Sequence, residues 1–330
     1  MLIMKIKKKL HYIGKKDSSL RMLYFYGKYG LAKFLGFIWS EEKYAKWFYH
    51  LYTKKDLNLE NPKYFDHKLW WLKLNNRDPK LTMCSDKIAV RDYIKECGYE
   101  EILIPQLDVL NNIKELDLSK YNEEVIVKCN HNSGGHLFFD PANPIDGKSL
   151  KNAKKRLKLI LKNNASVLSR EWNYKNIPPK IVVEKIIRDK NGKLPLDYKF
   201  MCFDGEPKLL FLDLGVINAD NSYNSYYPRN IYDMDFNLLP VFETRPNADY
   251  EINKPENFKK MVDIARKLSQ PFAHCRVDLY NIDGKIYFGE ITFYHGGGCN
   301  QIEPEEWDLK MGDWIDLNSP KIVKKPINEK

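Results

Sequence analysis

Period-two alternation is clearest from Arg276 to Thr292, where RVDLYNIDGKIYFGEIT sets two apolar strand runs around the turn Asn281-Ile282-Asp283-Gly284. The pattern predicts a β-hairpin, because Asp-Gly supplies the positive φ that a tight turn needs. Arg276, Asp278 and Glu290 interrupt the apolar runs. A charge on a buried strand is costly unless something pairs with it. Asp278 and Glu290 each lie two residues from the other polar member of their strand, Arg276 and Thr292, so they read as facing the same side of the hairpin. Two carboxylates facing each other beside an arginine point either to a structural salt bridge or to a divalent cation with an anionic ligand. Mg²⁺ with polyphosphate meets the second requirement.

Further strands are predicted over 125–129, 181–187, 198–203, 208–213, 275–280 and 285–291. Helical spacing appears over 41–53 (Tyr44, Trp47, Phe48, Leu51), 148–163 (Leu150, Ala153, Leu157, Leu161) and 255–269 (Phe258, Met261, Val262, Ala265, Leu268). Ser85 and Asp86 are candidate N-caps of another helix, ending at Cys97-Gly98. On it Lys87, Arg91 and Lys95 follow at steps of four as one cationic stripe. Hairpins mixed with helices give an α+β class. Asn61-Pro62 reads as a boundary. It separates a basic, aromatic, helical region (1–60) from a helical linking region (61–124) and a strand-rich region (125–330).

Charge narrows the partners. With 54 Lys and Arg against 44 Asp and Glu, the net charge is +10, which favours nucleic acid, nucleotides, acidic saccharides or an anionic membrane. Aromatics of the N-terminal region fall at helical spacing, which favours core packing over base stacking, so no nucleic-acid partner is expected. Six cysteines without a Cys-x-x-Cys pair argue against zinc knuckles and thioredoxin chemistry and suit a reducing cytoplasm. The opening MLIMKIKKKLHYIGKK is basic but lacks the apolar core and cleavage site of a secretory signal. The apolar segment 31–40 is far shorter than the roughly 20 residues a bilayer span needs. With its lysines it can rest on an anionic membrane face, although such segments are more often packing helices.

Four constellations carry candidate chemistry. VIVKCNHNSGGH (125–136) places Lys128 at a strand end, before a loop with Asn130, Ser133, Gly134 and Gly135. Glycine backbone N–H groups approach phosphate and a lysine neutralises it, although no Walker A motif is present. His131 and His136 lack a further ligand at supporting spacing. IVVEKII (181–187) carries Glu184 and Lys185, either lining a ligand or simply alternating between faces. DYKFMCFDGEP puts Asp197 and Lys199 on one strand face. His295-Gly296-Gly297-Gly298 is able to present backbone N–H groups to an oxyanion. Asp233 and Asp235 form an Asp-x-Asp in a turn-rich segment and read as solvated.

The order of these blocks resembles the ATP-grasp superfamily, which includes D-alanine–D-alanine ligase, over roughly residues 85–303. NPKYFDHKLWWLKLNNRDP, SDKIAVRDYI, VKCNHNSGGH, REWNYKNIPPKIVVEK, LDYKFMCFDGEPK and RVDLYNIDGKIYFGEITF are similar to the TupA-like ATP-grasp family over 61–300. That family is of the teichuronopeptide-biosynthesis type, found among cell-surface polysaccharide genes. The resemblance implies an ATP-grasp fold: two α+β subdomains gripping ATP, here behind a basic helical N-terminal extension. It implies a nucleotide site of Lys87, Arg91, Lys128, Ser133, Gly134, Gly135, Glu184, Lys185 and Lys199. Arg91 and Lys128 stand where phosphate-binding cations are expected, and Glu184 and Lys185 at the adenine hinge. Asp278 and Glu290 match the Mg²⁺ carboxylates, and Arg276, with Lys128, the catalytic cations. Thr292 stands where many ATP-grasp ligases carry a metal-binding asparagine; the closer family also tends to carry threonine there, and Asn300 is a substitute candidate.

The implied activity is a cytoplasmic ATP-dependent carboxylate–amine ligase of cell-surface polysaccharide biosynthesis. It would form an amide through an acyl phosphate on a uronic acid or amino acid, with peripheral contact at an anionic membrane. The rivals are a sugar kinase or phosphoryl transferase on the same scaffold, a polysaccharide-locus glycosyltransferase, and a non-enzymatic basic module that binds membrane or nucleic acid.

Overall fold

Ser40 separates two helices. Its side chain accepts from the Lys43 N–H (3.2 Å), capping the second helix after the first, α1 (Ser18–Ile38), has ended. The second, α2 (Glu41–Thr53), carries Glu41 and Glu42 in its first turn, where the helix dipole favours them. A computed structural model describes residues 18–132, 136–217, 224 and 226–326, with backbone alone for 18–25. α3 (Phe65–Asn75) follows, then α4 (Pro79–Ser85), started by Asp78 as N-cap and Pro79 in the first turn. Ala32, Leu35, Tyr44, Ala45, Phe48 and Tyr49 form one core with Trp70 of α3.

The helix expected from Ser85-Asp86 starts later, as α5 (Val90–Glu96). Ser85 closes α4. The Asp86 carboxylate accepts from the Ile88 N–H (2.9 Å) and from Asn130 Nδ2 (2.9 Å), so it caps a turn and ties that turn to the loop after Lys128. Lys87 therefore lies outside the helix and the cationic stripe is broken. Lys95 turns to Glu100 at 3.3 Å on the surface.

The first sheet is β1 (Gln106–Leu110), β2 (Val125–Cys129), β3 (Leu137–Phe139) and β4 (Ile181–Lys185), antiparallel in the order β1-β4-β2-β3. It packs on α6 (Gly147–Leu161), whose N-cap Asp146 accepts from Lys148 N and Ser149 N. Ala153 and Leu157 of α6 meet Val125, Val127, Ile181 and Val183 in a second core. A short helix, α7 (Ala165–Leu168), leads back to β4.

The second sheet is β5 (Asp197–Phe203), β6 (Glu206–Asp213), β7 (Arg229–Tyr232), β9 (His274–Ile282) and β10 (Lys285–Thr292), in the antiparallel order β10-β9-β5-β6-β7. A two-stranded ribbon joins β8 (Phe242–Glu243) to β11 (Ile302–Glu303). α8 (Phe258–Ser269) covers one face of the large sheet, burying Phe258, Met261, Ala265 and Leu268 with Phe200, Leu210, Val277 and Leu279. α9 (Glu305–Asp313) packs on α3, where Asp308 accepts from the Phe65 N–H at 3.0 Å.

The β9–β10 turn has φ of 49° at Asp283 and 82° at Gly284, the two positive values of a type I′ hairpin. Pairing runs regularly to Phe288 opposite Leu279. It then skips Gly289, so that Glu290 stands opposite Asp278 and Thr292 opposite Arg276. Gly289 is thus the extra residue of a β-bulge. A Cβ there would lie 3.0 Å from the Asp278 carbonyl oxygen. Without the bulge Glu290 would pair with Val277 and point to the α8 side.

Candidate active site

The polar face of the five-stranded sheet holds a bonded array of charges. Arg276 donates from Nε to Asp278 Oδ1 (2.6 Å). Its NH2 group donates to Asp278 Oδ2 (2.7 Å), Glu290 Oε1 (2.8 Å) and Thr292 Oγ1 (3.0 Å). The Thr292 hydroxyl in turn donates to Glu290 Oε1 at 2.9 Å. Lys199 donates to Asp278 Oδ2 (2.9 Å) and to Asp197. Burial works against the charge of Lys199, yet Asp197 and Asp278 hold its pKa above the usual lysine range. Burial raises the Asp197 carboxyl to about 6. Burial acts in the same sense on Glu290, but Arg276, Lys87 and Lys199 outweigh it and hold this carboxyl down to about 2.

The array continues through Arg229, Asp213 and Glu243, which the sequence did not single out, to His295 and Asn300. Arg229 makes a fork to Asp213 (2.5 and 2.8 Å) and also bonds Glu243, all three buried. Arg276 donates from NH1 to His295 Nδ1 (2.8 Å), which leaves Nε2 protonated and donating to Glu243 Oε1 at 2.7 Å. Burial first, then Arg276 and Arg229, keep His295 neutral by pushing its pKa well below the usual value. Asn300 donates from Nδ2 to the same Glu243 oxygen at 2.5 Å, so its amide nitrogen joins this array. The signal for these groups was present only as isolated polar letters in apolar runs, Asp213 at the end of β6 and Glu243 in β8.

Facing Glu290 across a cleft of about 490 Å³, mouth included, are Lys87, Arg91, Lys128, Tyr174 and Glu184. Lys128 and Glu184 pair at 2.5 Å. Lys87 reaches the Asn132 carbonyl (2.9 Å), and its pKa is lowered by burial and by Lys128. Arg91 donates to the Ile104 carbonyl at 2.9 Å. Five of the residues named from the sequence thus share one cleft. Lys185 does not join them. It follows Glu184 on the strand, turns to the other face and pairs with Glu123 at 2.5 Å. Ser133, Gly134 and Gly135 lie outside the described residues.

The glycine turn also differs from expectation. Gly296, Gly297 and Gly298 have φ of 56°, 64° and 64°. The Gly297 N–H is bonded to the Tyr294 carbonyl (2.9 Å), so it is not free for an oxyanion. The carbonyls of Gly297 and Gly298 accept from Lys73 Nζ (2.5 Å) and Trp70 Nε1 (2.7 Å) of α3. This turn docks a helix. His131 likewise faces structure, with Nε2 on the Asn163 carbonyl at 2.9 Å.

Among the described residues no group of three or more His, Cys, Asp or Glu is arranged to hold a metal. The donor chemistry nonetheless fits Mg²⁺, which needs only one or two carboxylates when phosphate oxygens complete its shell. Asp278 and Glu290 are cross-strand neighbours with hard oxygen donors, and the Asp197 Oδ1 beside them is buried without a partner.

Two antiparallel sheets closing on a cation-lined cleft, with a carboxylate pair on a hairpin at one wall, define the ATP-grasp class. The TupA-like ATPgrasp family model matches residues 67–316, and the chain belongs to that family. No curated protein matches. Solved structures that it resembles include a D-alanine–D-alanine ligase from Helicobacter pylori (14% identity, 79% of this chain and 69% of that one, TM-score 0.42). Another is a D-alanine–D-alanine ligase from Bacillus anthracis (17% identity, 71% and 66%, TM-score 0.40). An L-amino acid ligase from Bacillus licheniformis matches at 15% identity over 65% of this chain, which spans only 44% of that ligase (TM-score 0.39).

Proposed function

We propose that this chain is a cytoplasmic ATP-dependent carboxylate–amine ligase acting on cell-surface polysaccharide precursors. It joins a uronic acid or amino acid carboxylate to an amine. One observation carries the reading: the cleft turns Lys87, Arg91 and Lys128 toward Glu290, which the bulge sets opposite Asp278 and against Arg276.

The three cations draw the polyphosphate into the cleft, and Glu184 lies beside Lys128 where the nucleotide enters. Arg276 is fixed by Asp278, Glu290, Thr292 and His295, so its positive charge stands ready behind Glu290 to offset charge on the transferring phosphoryl group. Mg²⁺, when bound between Asp278 and Glu290, would offset charge on the phosphate oxygens. The substrate carboxylate attacks the γ-phosphorus and ADP leaves. The amine then attacks the acyl carbon and phosphate leaves, with one proton released to solvent. The net charge of +10 suits an anionic saccharide as the acid.

The test is ATP consumption by the purified chain with Mg²⁺ and pools of uronic acids and amino acids, with products weighed by mass spectrometry. An amide with free phosphate is expected. A stable phosphorylated sugar assigns the site to a kinase instead, and absence of ATP consumption with every pool overturns the reading.

A further inference from the structure

α1 has one packed side and one bare side. Ala32 and Leu35 are buried, and Gly36 lies so near Arg170 that a Cβ there would come within 2.4 Å of the guanidinium. On the other side Leu31, Phe34, Phe37 and Ile38 are 50%, 59%, 90% and 51% exposed, and Tyr26 is 46% exposed. At 3.6 residues per turn these side chains share one arc of about 140° with Gly27 and Gly30. A Cβ at either glycine would meet nothing within 4 Å. Scattered exposed apolar residues are ordinary, but a continuous face of this kind marks an interaction surface.

The charges around the face select its occupant. Lys28 and Lys33 border it on opposite edges, and α1 contains no Asp or Glu. Residues 1–38 carry nine Lys and Arg against a single Asp. A second copy docking here would bring two cationic borders together, and like-charge juxtaposition disfavours that. No helix among the described residues is long and apolar enough to cross a membrane. We infer that α1 lies in the plane of an anionic lipid bilayer, with Phe34, Phe37, Leu31 and Ile38 at the acyl boundary and the lysines against the headgroups.

The inference stands apart from the ligase chemistry, since none of the described side chains of α1 lines the cleft. The full chain is sedimented with vesicles of phosphatidylcholine and of phosphatidylcholine containing phosphatidylglycerol. Binding to the anionic vesicles alone is expected, weakened by salt. Phe34→Glu together with Phe37→Glu, on the exposed side, is expected to lower the partition coefficient at least about tenfold with the melting temperature unchanged. Equal binding to both vesicle types, no binding to either, or equal binding of the double variant and the parent overturns the inference. So does a parent dimer in sedimentation velocity that the double substitution dissociates, because the face then belongs to a second copy.

Discussion

On the five-stranded sheet each charge at the hairpin has several partners. Arg276 bonds Asp278, Glu290, Thr292 and His295, and Lys199 bonds Asp197 and Asp278. On the four-stranded sheet Lys128 is paired with Glu184, while the neighbouring Lys185 faces outward to Glu123. A side chain with several simultaneous bonds has few rotamers left, whereas a lysine in one ion pair retains many. The contrast suits a division of labour. On the proposed chemistry, phosphoryl transfer needs donors that are already in place, and a wall that gathers phosphate benefits from side chains that adjust as the nucleotide enters.

The largest test of this contrast is Glu290→Gln, which keeps shape and removes charge. On the proposed chemistry turnover falls by about 10² to 10³ at temperatures where the variant is still folded, a loss larger than the lowered melting temperature from the missing charge accounts for. Near-normal turnover with a lowered melting temperature would make the array purely structural. Lys128→Ala on the opposite wall should weaken ATP binding by about 1.5–3 kcal/mol, as expected for a lost charge-assisted contact. Unchanged affinity by calorimetry removes Lys128 from the phosphate site. Gly289→Ala tests the bulge, because the new methyl approaches the Asp278 carbonyl to 3.0 Å. A stability loss of about 1–3 kcal/mol in denaturant melts is expected, with turnover reduced as Glu290 shifts.

Two smaller effects sharpen the comparison. Asp197 is raised to about 6, whereas an unfolded aspartate titrates near 3.9. Between about pH 4 and pH 6 the folded chain therefore holds more protons at this site than the unfolded one, and its contribution to stability falls as pH rises through that window. Glu290, held down to about 2, acts in the opposite sense at lower pH: its contribution is present above about 4.3 and lost as pH falls toward 2. Asp197→Asn should flatten the pH 4–6 slope in urea melts, and an unaltered slope would refute the assignment. Lys185→Ala, in an exposed pair, should change stability by no more than about 0.5 kcal/mol and leave ATP affinity intact. A marked loss of affinity would return Lys185 to the nucleotide site.

Much of the framework is legible in the letters. Alternation places β2 at 125–129 and bounds β9 and β10 to within two residues, and Asp283-Gly284 sets the type I′ turn. Helical spacing gives α2 at 41–53. α3 is buried over much of its surface and shows little amphipathic signal, so its aromatic run remained without an element. The run from Ser85 is ambiguous because a capping residue serves a turn as readily as a helix, and contact with Asn130 across the chain favours the turn.

The sequence by itself determined the α+β class, the hairpin and the residue types able to hold polyphosphate, because side-chain period and turn chemistry are local properties. It did not determine which member of Glu184-Lys185 faces the cleft, since alternation fixes opposition and leaves the choice of face to burial. The spacing of polar residues along the two strands reads Glu290 and Asp278 onto one side, but it does not supply the register that sets them opposite each other. Regular pairing from the type I′ turn would put Glu290 beside Val277. Only the bulge at Gly289, accommodated where no Cβ fits against the Asp278 carbonyl, moves the two carboxylates onto one face.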